Sequence, residues 1–464
     1  MEILGDERQW AEREFGTARL GNQLRTKRVV AMAATAVGAH VGTISGAFQS
    51  DAAGREGAYR LLEGQGEQHD AVGRAAAHAC FKRAADCPYI IAPIDGTSLT
   101  AIALNSRSFG PIGNSRTRSR GINIMHAIGL NPSGTPLGVA NQSYWTRPEV
   151  KRNKARSARR NMPFEDKETL QWVHVMERTL EAADEAGFEG KVWFQADRGA
   201  DFTELLAWAS MSPCWVTIRA NSNRNVVGAK ERLLWEDVSS ANTCHRYSLN
   251  VPRGVNRQAR QASLEIKFKE ALLSLPRQLG WSGVCVPIYA VLVRETSSVA
   301  KGEEPIEWLL LTTKPIRTVR DAREVVKAYG FRWRIEECHK TWKSVNRVED
   351  NQLKTAGALA LWARILFSVS VRAERLKRLA REGPELPATG EFTDDELKVI
   401  GLKFKKTSSE MKKATMAQVI DWVARIGGYI GKSSGGPPGS ITIGRGLDVI
   451  EAAVWVLAAL RRPQ

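Results

Sequence analysis

The 464-residue chain is 43% hydrophobic, enough to bury a large core and to divide into two or three domains. Its 67 lysines and arginines outnumber 50 acids, giving a net charge of +17 and a pI near 9.7; such a field favours polyanions, nucleic acid before anionic membrane. No continuous apolar run reaches the roughly 20 residues that cross a bilayer, MEILGDERQW lacks an apolar signal core, the six scattered cysteines form no CxxC pair, and the seven histidines, His126 and His339 among them, are equally dispersed, which argues against a membrane partner and a Cys/His metal centre and suits a reduced, cytoplasmic protein.

From Met1 to about Ala85 the chain is Ala-rich with helical spacing, and RLGNQLRTKRVVAMAATAV puts Arg25, Lys27 and Arg28 at the start of an apolar helix. By themselves these cations read as a solvated helix end. After Pro88 the pattern changes. YIIAPIDGTSL reads as a buried strand whose end exposes Asp95, and KVWFQADRGAD as a second strand ending at Asp197 before the helical FTELLAWA. IMHAIGLNP and PLGVANQSYW add strands between them, and LQWVHVMERTLEAADEAG adds a helix. Asp201, one turn past Asp197, reads as a helix-start charge. Residues 147–160 hold seven basic residues against one acid and fit a solvated loop or one ordered by DNA equally well.

Between Asp197 and the next helical pattern lies more chain than a connection requires. CWVTIRA, RYSLNV, SLEIKF, VCVPIYAVLV and EWLLLTT are strand-like, so residues from about 215 to 313 form a β-rich insertion. Its loop PRGVNRQARQ offers Arg253, Arg257 and Arg260, to DNA or to solvent. Trp308 opens the apolar WLLLTT, where a core tryptophan is the ordinary explanation.

Tyr329 to Lys343 reads YGFRWRIEECHKTWK. Tyr329, Arg332, Glu336, Lys340 and Lys343 follow at steps of three or four and share one helical face. Val325, Ala328, Ile335, Cys338 and Trp342 form the opposite, core-facing side. A solvated surface would account for any one of these charges; the joint register of an acid, a phenol and three cations suits a metal and a polyanion. From about Thr355 the pattern is helical to the end. GGYIGKSSGGPPG lacks the spacing of a phosphate-binding loop, so no ATP site is expected. The last helix carries Leu447, Ile450, Val454 and Leu457 as one stripe, either core or a dimer seam.

The spacing Y-x2-R-x3-E-x6-K resembles the signature of the DDE cut-and-paste transposases of the bacterial insertion-sequence-four family, nearest its transposon-five branch. EGAYR (Glu56 to Arg60), IIAPIDGTSL, SRG at Ser119 to Gly121, QSYWTRP, QADRGAD and ARIGGYIGKSSG are similar to family segments, in order along nearly the whole chain. QADRGAD departs from the family form by placing Gly199 where an acid stands.

The resemblance implies an α/β fold with a ribonuclease-H-like catalytic core over residues 86–354, interrupted by the β-rich insertion. An N-terminal helical DNA-end-binding domain (1–85) and a C-terminal helical dimerisation domain (355–464) would flank it. It implies Asp95, Asp197 and Glu336 as catalytic metal ligands. Three clustered carboxylates repel unless a cation neutralises them, and oxygen-only ligands suit two Mg2+ ions, with Mn2+ as substitute. It further implies Arg28, Arg60 and Arg219 on transposon-end DNA, Tyr329, Arg332 and Lys343 on the phosphate beside a base turned out of the duplex, with Lys340 adding charge, and Trp308 stacking on that base. The expected activity is excision by nicking, hairpin formation and hairpin opening, then transfer into target DNA, by a homodimer holding two terminal repeats. A structure-selective nuclease of the same core, or an inactive DNA-binding repressor, are the alternatives; the presence of all three acids argues against inactivity.

Overall fold

The computed structural model describes residues 6–39, 42–49, 51–64, 69–102, 107–113, 119–149, 163–230, 233–251, 253, 258–275, 283–300, 302–431 and 436–460. The chain opens with helices α1 (Asp6–Phe15), α2 (Gln23–Ala39), α3 (Ile44–Ala47), α4 (Ala52–Leu62) and α5 (His69–Arg83). Thr43 and Asp51 cap α3 and α4, each accepting from a backbone N–H three residues on. Strands β1 (Tyr89–Thr100), β2 (Gly110–Pro111), β3 (Arg120–Leu130) and β4 (Pro136–Trp145) follow, then α6 (Leu170–Glu185), β5 (Lys191–Ala196), α7 (Thr203–Met211) and β6 (Trp215–Arg219). Next come β7 (Asn225–Val226), α8 (Leu234–Ser239), β8 (His245–Val251), β9 (Arg260–Ser274), β10 (Cys285–Glu295) and β11 (Glu307–Thr312). Helices α9 (Val319–Gly330), α10 (Trp333–Ser344), α11 (Ala356–Glu382), α12 (Asp394–Phe404), α13 (Ser408–Lys412), α14 (Met416–Ile426) and α15 (Ser440–Leu460) complete the chain.

Among the described residues, eleven strands form one mixed sheet in the order β2-β3-β1-β5-β6-β11-β10-β9-β7, with β4 beside β3 and β8 beside β9. β1, β5 and β6 run parallel; the other pairs are antiparallel. The strands of the expected insertion build no separate layer. β6 pairs with both β5 and β11, so β11, β10 and β9 extend the same sheet.

Period-two alternation sends neighbouring residues to opposite faces of the sheet. Ile90, Ala92, Ile94, Phe194 and Ala196 join one buried cluster with residues of α5, α6 and α7. Ile91, Trp193, Val291 and Leu310 join another with residues of α1, α2, α9, α10 and α11. Asp95 and Asp197 follow Ile91 and Trp193 by an even number of residues, so they share the face covered by α10. A third cluster joins the end of α11 to α12, α14 and α15, and Leu447, Ile450 and Val454 belong to it; most of the terminal stripe is therefore core. By length and composition α11 could span a bilayer, but 89% of its apolar window is buried inside the protein. It is the central strut of the C-terminal half.

Two sequence expectations change. Asp95 lies inside β1, not at its end, because β1 continues to Thr100 along β3 while its pairing with β5 stops at Pro93. And the helical register from Tyr329 to Lys343 is carried by two helices. The chain tightens between them, with Arg332 N bonded to Tyr329 O and Arg334 N to Phe331 O, so Arg332 stays close to helical geometry and the faces persist.

Candidate active site

Pro93 of β1 stands opposite Gln195 of β5, and two residues further along each strand come Asp95 and Asp197. Parallel neighbours lie about 4.8 Å apart, so the strand pair brings both acids to the same end of their pairing, where the charge of Asp197 acts on Asp95. Asp197 leaves β5 as the cap of a short turn, its Oδ1 accepting from Gly199 N at 2.8 Å.

Glu336 arrives from the other direction. α9 begins with a capping box between Thr318 and Asp321. It is tied to the sheet through Glu324, which accepts from the Tyr89 hydroxyl at 2.5 Å and pairs with Lys314 at 3.0 Å. The Lys314 ammonium lies over the rings of Trp193 and Trp215. On α10, Ile335, Cys338 and Trp342 are fully buried, as their spacing predicts, which turns Glu336 toward the strand pair. Glu337, next to it, points instead to α11, where Arg378 donates to it at 2.6 and 2.7 Å. Burial pushes Glu337 up, but Lys377, Arg378 and Arg334 outweigh it and hold its carboxyl below the usual range. This cluster fixes the rotation of α10.

Burial drives Asp95 up to about 7; Arg332 opposes the rise, and the neighbouring charges of Asp197 and Glu336 add to it. Two of the three acids expected from the sequence, Asp197 and Glu336, are thus within electrostatic reach of the third, Asp95. The guanidinium of Arg332 pairs with Glu336 at 2.5 Å, and Tyr329 is buried beside Arg332. Trp308, the second residue of β11, meets the Tyr329 ring edge-on, 5.7 Å between centroids. Arg219 donates to the Glu307 carbonyl at 3.0 Å, and burial together with nearby Arg198 lowers its pKa. Lys343 donates to the Ser98 carbonyl of β1 at 2.9 Å, while Lys340 is exposed.

Oxygen-only donors, one of them raised mainly by burial and further by its two acidic neighbours, fit a hard divalent cation. As the side chains stand, no group of three His, Cys, Asp or Glu residues is disposed to hold a metal among the described residues. Glu336 Oε1 is engaged by Arg332, and Asp197 Oδ1 by its own turn.

Arg28 and Arg60 lie away from this cluster in sequence but close to each other. A Cβ on Gly57 would collide with the Arg28 guanidinium, and Arg60 is one turn further along α4, exposed and paired with Glu56. Arg260 is no free cation, because it pairs with Glu295 at 2.9 Å and Glu303 at 2.5 Å. Arg257 and most of the basic stretch 147–160 lie outside the described residues. Asp201 is buried on Arg224 and accepts from the backbone of Asn221 and Ser222, so it clamps the loop after β6 and does not start a helix.

Sequence reasoning passed over His339 and His126 as scattered histidines. His339 Nδ1 stands 3.8 Å from Asp95 Oδ2. The available signal was its place three residues after Glu336, on an adjoining strip of the same helix.

Comparison with known proteins adds two sequence matches. Residues 7–65 match the family model described as Transposase DNA-binding, and residues 368–462 match that described as Transposase Tn5 dimerisation domain. The two ends of the chain are thus similar to transposase DNA-binding and dimerisation segments. Among solved structures, the chain matches a cryo-EM structure of the piggyBac transposase synaptic complex with hairpin DNA at 10% identity, covering 82% of this chain and 74% of that one, with a TM-score of 0.36; a likeness of that size carries no argument.

Proposed function

We propose that this chain is a DNA transposase whose phosphoryl-transfer centre is Asp95, Asp197 and Glu336 on a ribonuclease-H-like core. The observation that carries the reading is the placement of three acids together, Asp95 on β1, Asp197 just past the end of β5 and Glu336 on α10, beside Arg332, Tyr329 and Trp308. The transposase segments at both ends support it. Mg2+ held by the three carboxylates would supply activation of the attacking oxygen and stabilisation of the leaving one. Arg332 offers a planar fork to a DNA phosphate, Lys340 and Lys343 add point charges, and Tyr329 offers a hydroxyl. Arg28, Arg60 and Arg219 position the terminal repeat through its backbone. The same centre serves nicking by water, hairpin formation by the freed 3′-hydroxyl, hairpin opening and joining to target, because each is one displacement with a different nucleophile.

The test is incubation of the full-length protein and Mg2+ with DNA carrying the terminal repeats that flank its gene. Hairpin-ended products and insertions that require two ends are expected. Nicks without hairpins or joining would favour a nuclease, and binding without cleavage a repressor. Trp308 is the stacking platform for the displaced base in this reading, a contact worth roughly 1–3 kcal/mol. Trp308→Ala is therefore expected to slow hairpin formation at least tenfold more than the first nick; equal losses in both steps would remove it from that role.

Pairing of the two ends is assigned to α15. With its stripe buried, the opposite side presents Val449 and Val456, seven residues apart and 54% and 48% exposed. A double Val449→Glu, Val456→Glu substitution is expected to leave single-end binding intact and to abolish two-end complexes in a gel-shift assay.

A further inference from the structure

A chain of hydrogen bonds runs from His339, which stands beside Asp95, into the protein. In the antiparallel register Asp95 of β1 stands opposite His126 of β3, and His126 opposite Gln142 of β4, so the three side chains share the face that α10 covers. His339 of α10 closes the set. Its Nδ1 is 3.8 Å from Asp95 Oδ2, and its Nε2 is 3.1 Å from His126 Nδ1. His126 Nε2 is 3.0 Å from the Tyr144 hydroxyl, which lies 3.0 Å from Gln142 Oε1.

The surroundings leave little freedom. His126 is fully buried, with the Phe367 ring stacked on it at 3.7 Å and Trp342 edge-on at 5.2 Å. Arg364 lies over the Tyr144 ring at 4.6 Å, donates to the Gln142 carbonyl at 3.0 Å and pairs with Asp70 of α5 at 2.7 Å. His126 Nδ1 and His339 Nε2 are 3.1 Å apart, so only one of these two nitrogens carries the proton between them and the other accepts it.

That restriction orders the protons. A carboxylate can only accept, so beside ionised Asp95 the proton of His339 sits on Nδ1 and its Nε2 accepts from His126 Nδ1–H. His126 Nε2 then accepts from the Tyr144 hydroxyl, and the Tyr144 oxygen is left to accept from the Gln142 amide. Gln142 Nε2 is buried without a hydrogen-bond partner; turning the amide over places this N–H2 on the Tyr144 oxygen. Each link is consistent with donors directed toward Asp95.

We propose that His339 is a positioning residue for Asp95: His126, Tyr144 and Gln142 hold it in the tautomer whose Nδ1–H faces one carboxylate oxygen across 3.8 Å, and closing that gap to a hydrogen bond fixes this oxygen and presents the other to the reaction centre. Ligating carboxylates elsewhere depend on such hydrogen-bonded support, and its loss typically costs about 10–100-fold in metal affinity or activity. The inference rests on the assignment of Asp95 to the phosphoryl-transfer centre.

The experiment measures Mn2+ affinity by calorimetry, on the full-length protein bound to its terminal-repeat duplex, alongside single-turnover cleavage. His339→Leu is expected to weaken Mn2+ binding and slow cleavage by about 10–100-fold with unchanged affinity for the duplex. His339→Asn, which keeps an N–H near the Nδ1 position, is expected to recover most of both. Tyr144→Phe preserves the ring and removes only the hydroxyl; it is expected to shift both quantities the same way by a few-fold, and to add nothing to His339→Leu. If His339→Leu does not fold, Tyr144→Phe decides. Wild-type Mn2+ affinity and cleavage in the folded His339→Leu variant, or no recovery in His339→Asn, overturns the proposal. Asp95→Asn separates the two failures: retained cleavage there removes the centre itself, whereas lost cleavage beside a normal His339→Leu removes only the role of His339.

Discussion

Asp95→Asn is expected to abolish strand cleavage and, in the metal-free and DNA-free protein, to raise the melting temperature at alkaline pH. The catalytic loss follows from removing one carboxylate of the proposed centre. It is put at about a thousandfold or more, the equivalent of roughly 4 kcal/mol of transition-state stabilisation. The stability gain has a separate cause. Asp95 binds its proton more tightly in the folded protein, with a pKa of about 7, than in an unfolded chain near 3.8. The stability tied to that proton is present below pH 4 and is lost as pH rises through 7, an effect on the order of 3–4 kcal/mol. Asparagine carries no charge and loses nothing over that interval. The variant and the wild type should melt at similar temperatures near pH 4, and the variant roughly 3 °C higher at pH 8. Mg2+ should stabilise the wild type and not the variant, because only the wild type retains the full donor set. A variant that melts lower than wild type at pH 8 would show that Asp95 is stabilised by its surroundings and is not the strained member of a charge cluster.

Arg332→Gln is expected to move two measurements in opposite directions. In the free protein Arg332 occupies Glu336 at 2.5 Å and so competes with any cation for that carboxylate. A charged hydrogen bond of this type contributes about 1.5–3 kcal/mol, so its removal is expected to tighten Mn2+ binding to the DNA-free protein about tenfold or more, read by calorimetry. The same substitution removes the planar fork offered to the DNA phosphate and is expected to slow cleavage by about 100-fold. Unchanged metal affinity in the variant would mean that the pair does not guard Glu336. The sign of the first effect separates this arrangement from a simple loss of positive charge on the DNA-binding face, which would lower duplex affinity without reference to Glu336.

The helix pair bearing Glu336 was legible because its information is local. Val325, Ala328, Ile335, Cys338 and Trp342 recur with the helical period, and all are buried. The tightening at Phe331 and Arg332 was not legible, since it leaves the register almost unchanged. Asp95 was expected at a strand end and lies within β1. What ends near it is the pairing with β5, and that depends on a strand about 100 residues away. His339 was dismissed as one of seven dispersed histidines because its partners, Asp95 and His126, meet it only through the tertiary fold. Asp201 looked like a helix-start charge for the same reason: its partners Asn221, Ser222 and Arg224 come from the loop after β6. The insertion was readable as strand-rich, but its merger with the main sheet through β6 and β11 is set by cross-strand pairing that periodicity does not encode.

The most direct measurement replaces Mg2+ with Fe2+ in the protein bound to its terminal-repeat duplex and maps the peptide bonds cut by locally generated hydroxyl radicals. Cuts clustered beside residues 95, 197 and 336, all suppressed by excess Mg2+ and by Asp95→Asn, are the result expected if the three carboxylates share their ions. Cuts confined to one of these positions, or concentrated elsewhere in the chain, would contradict it.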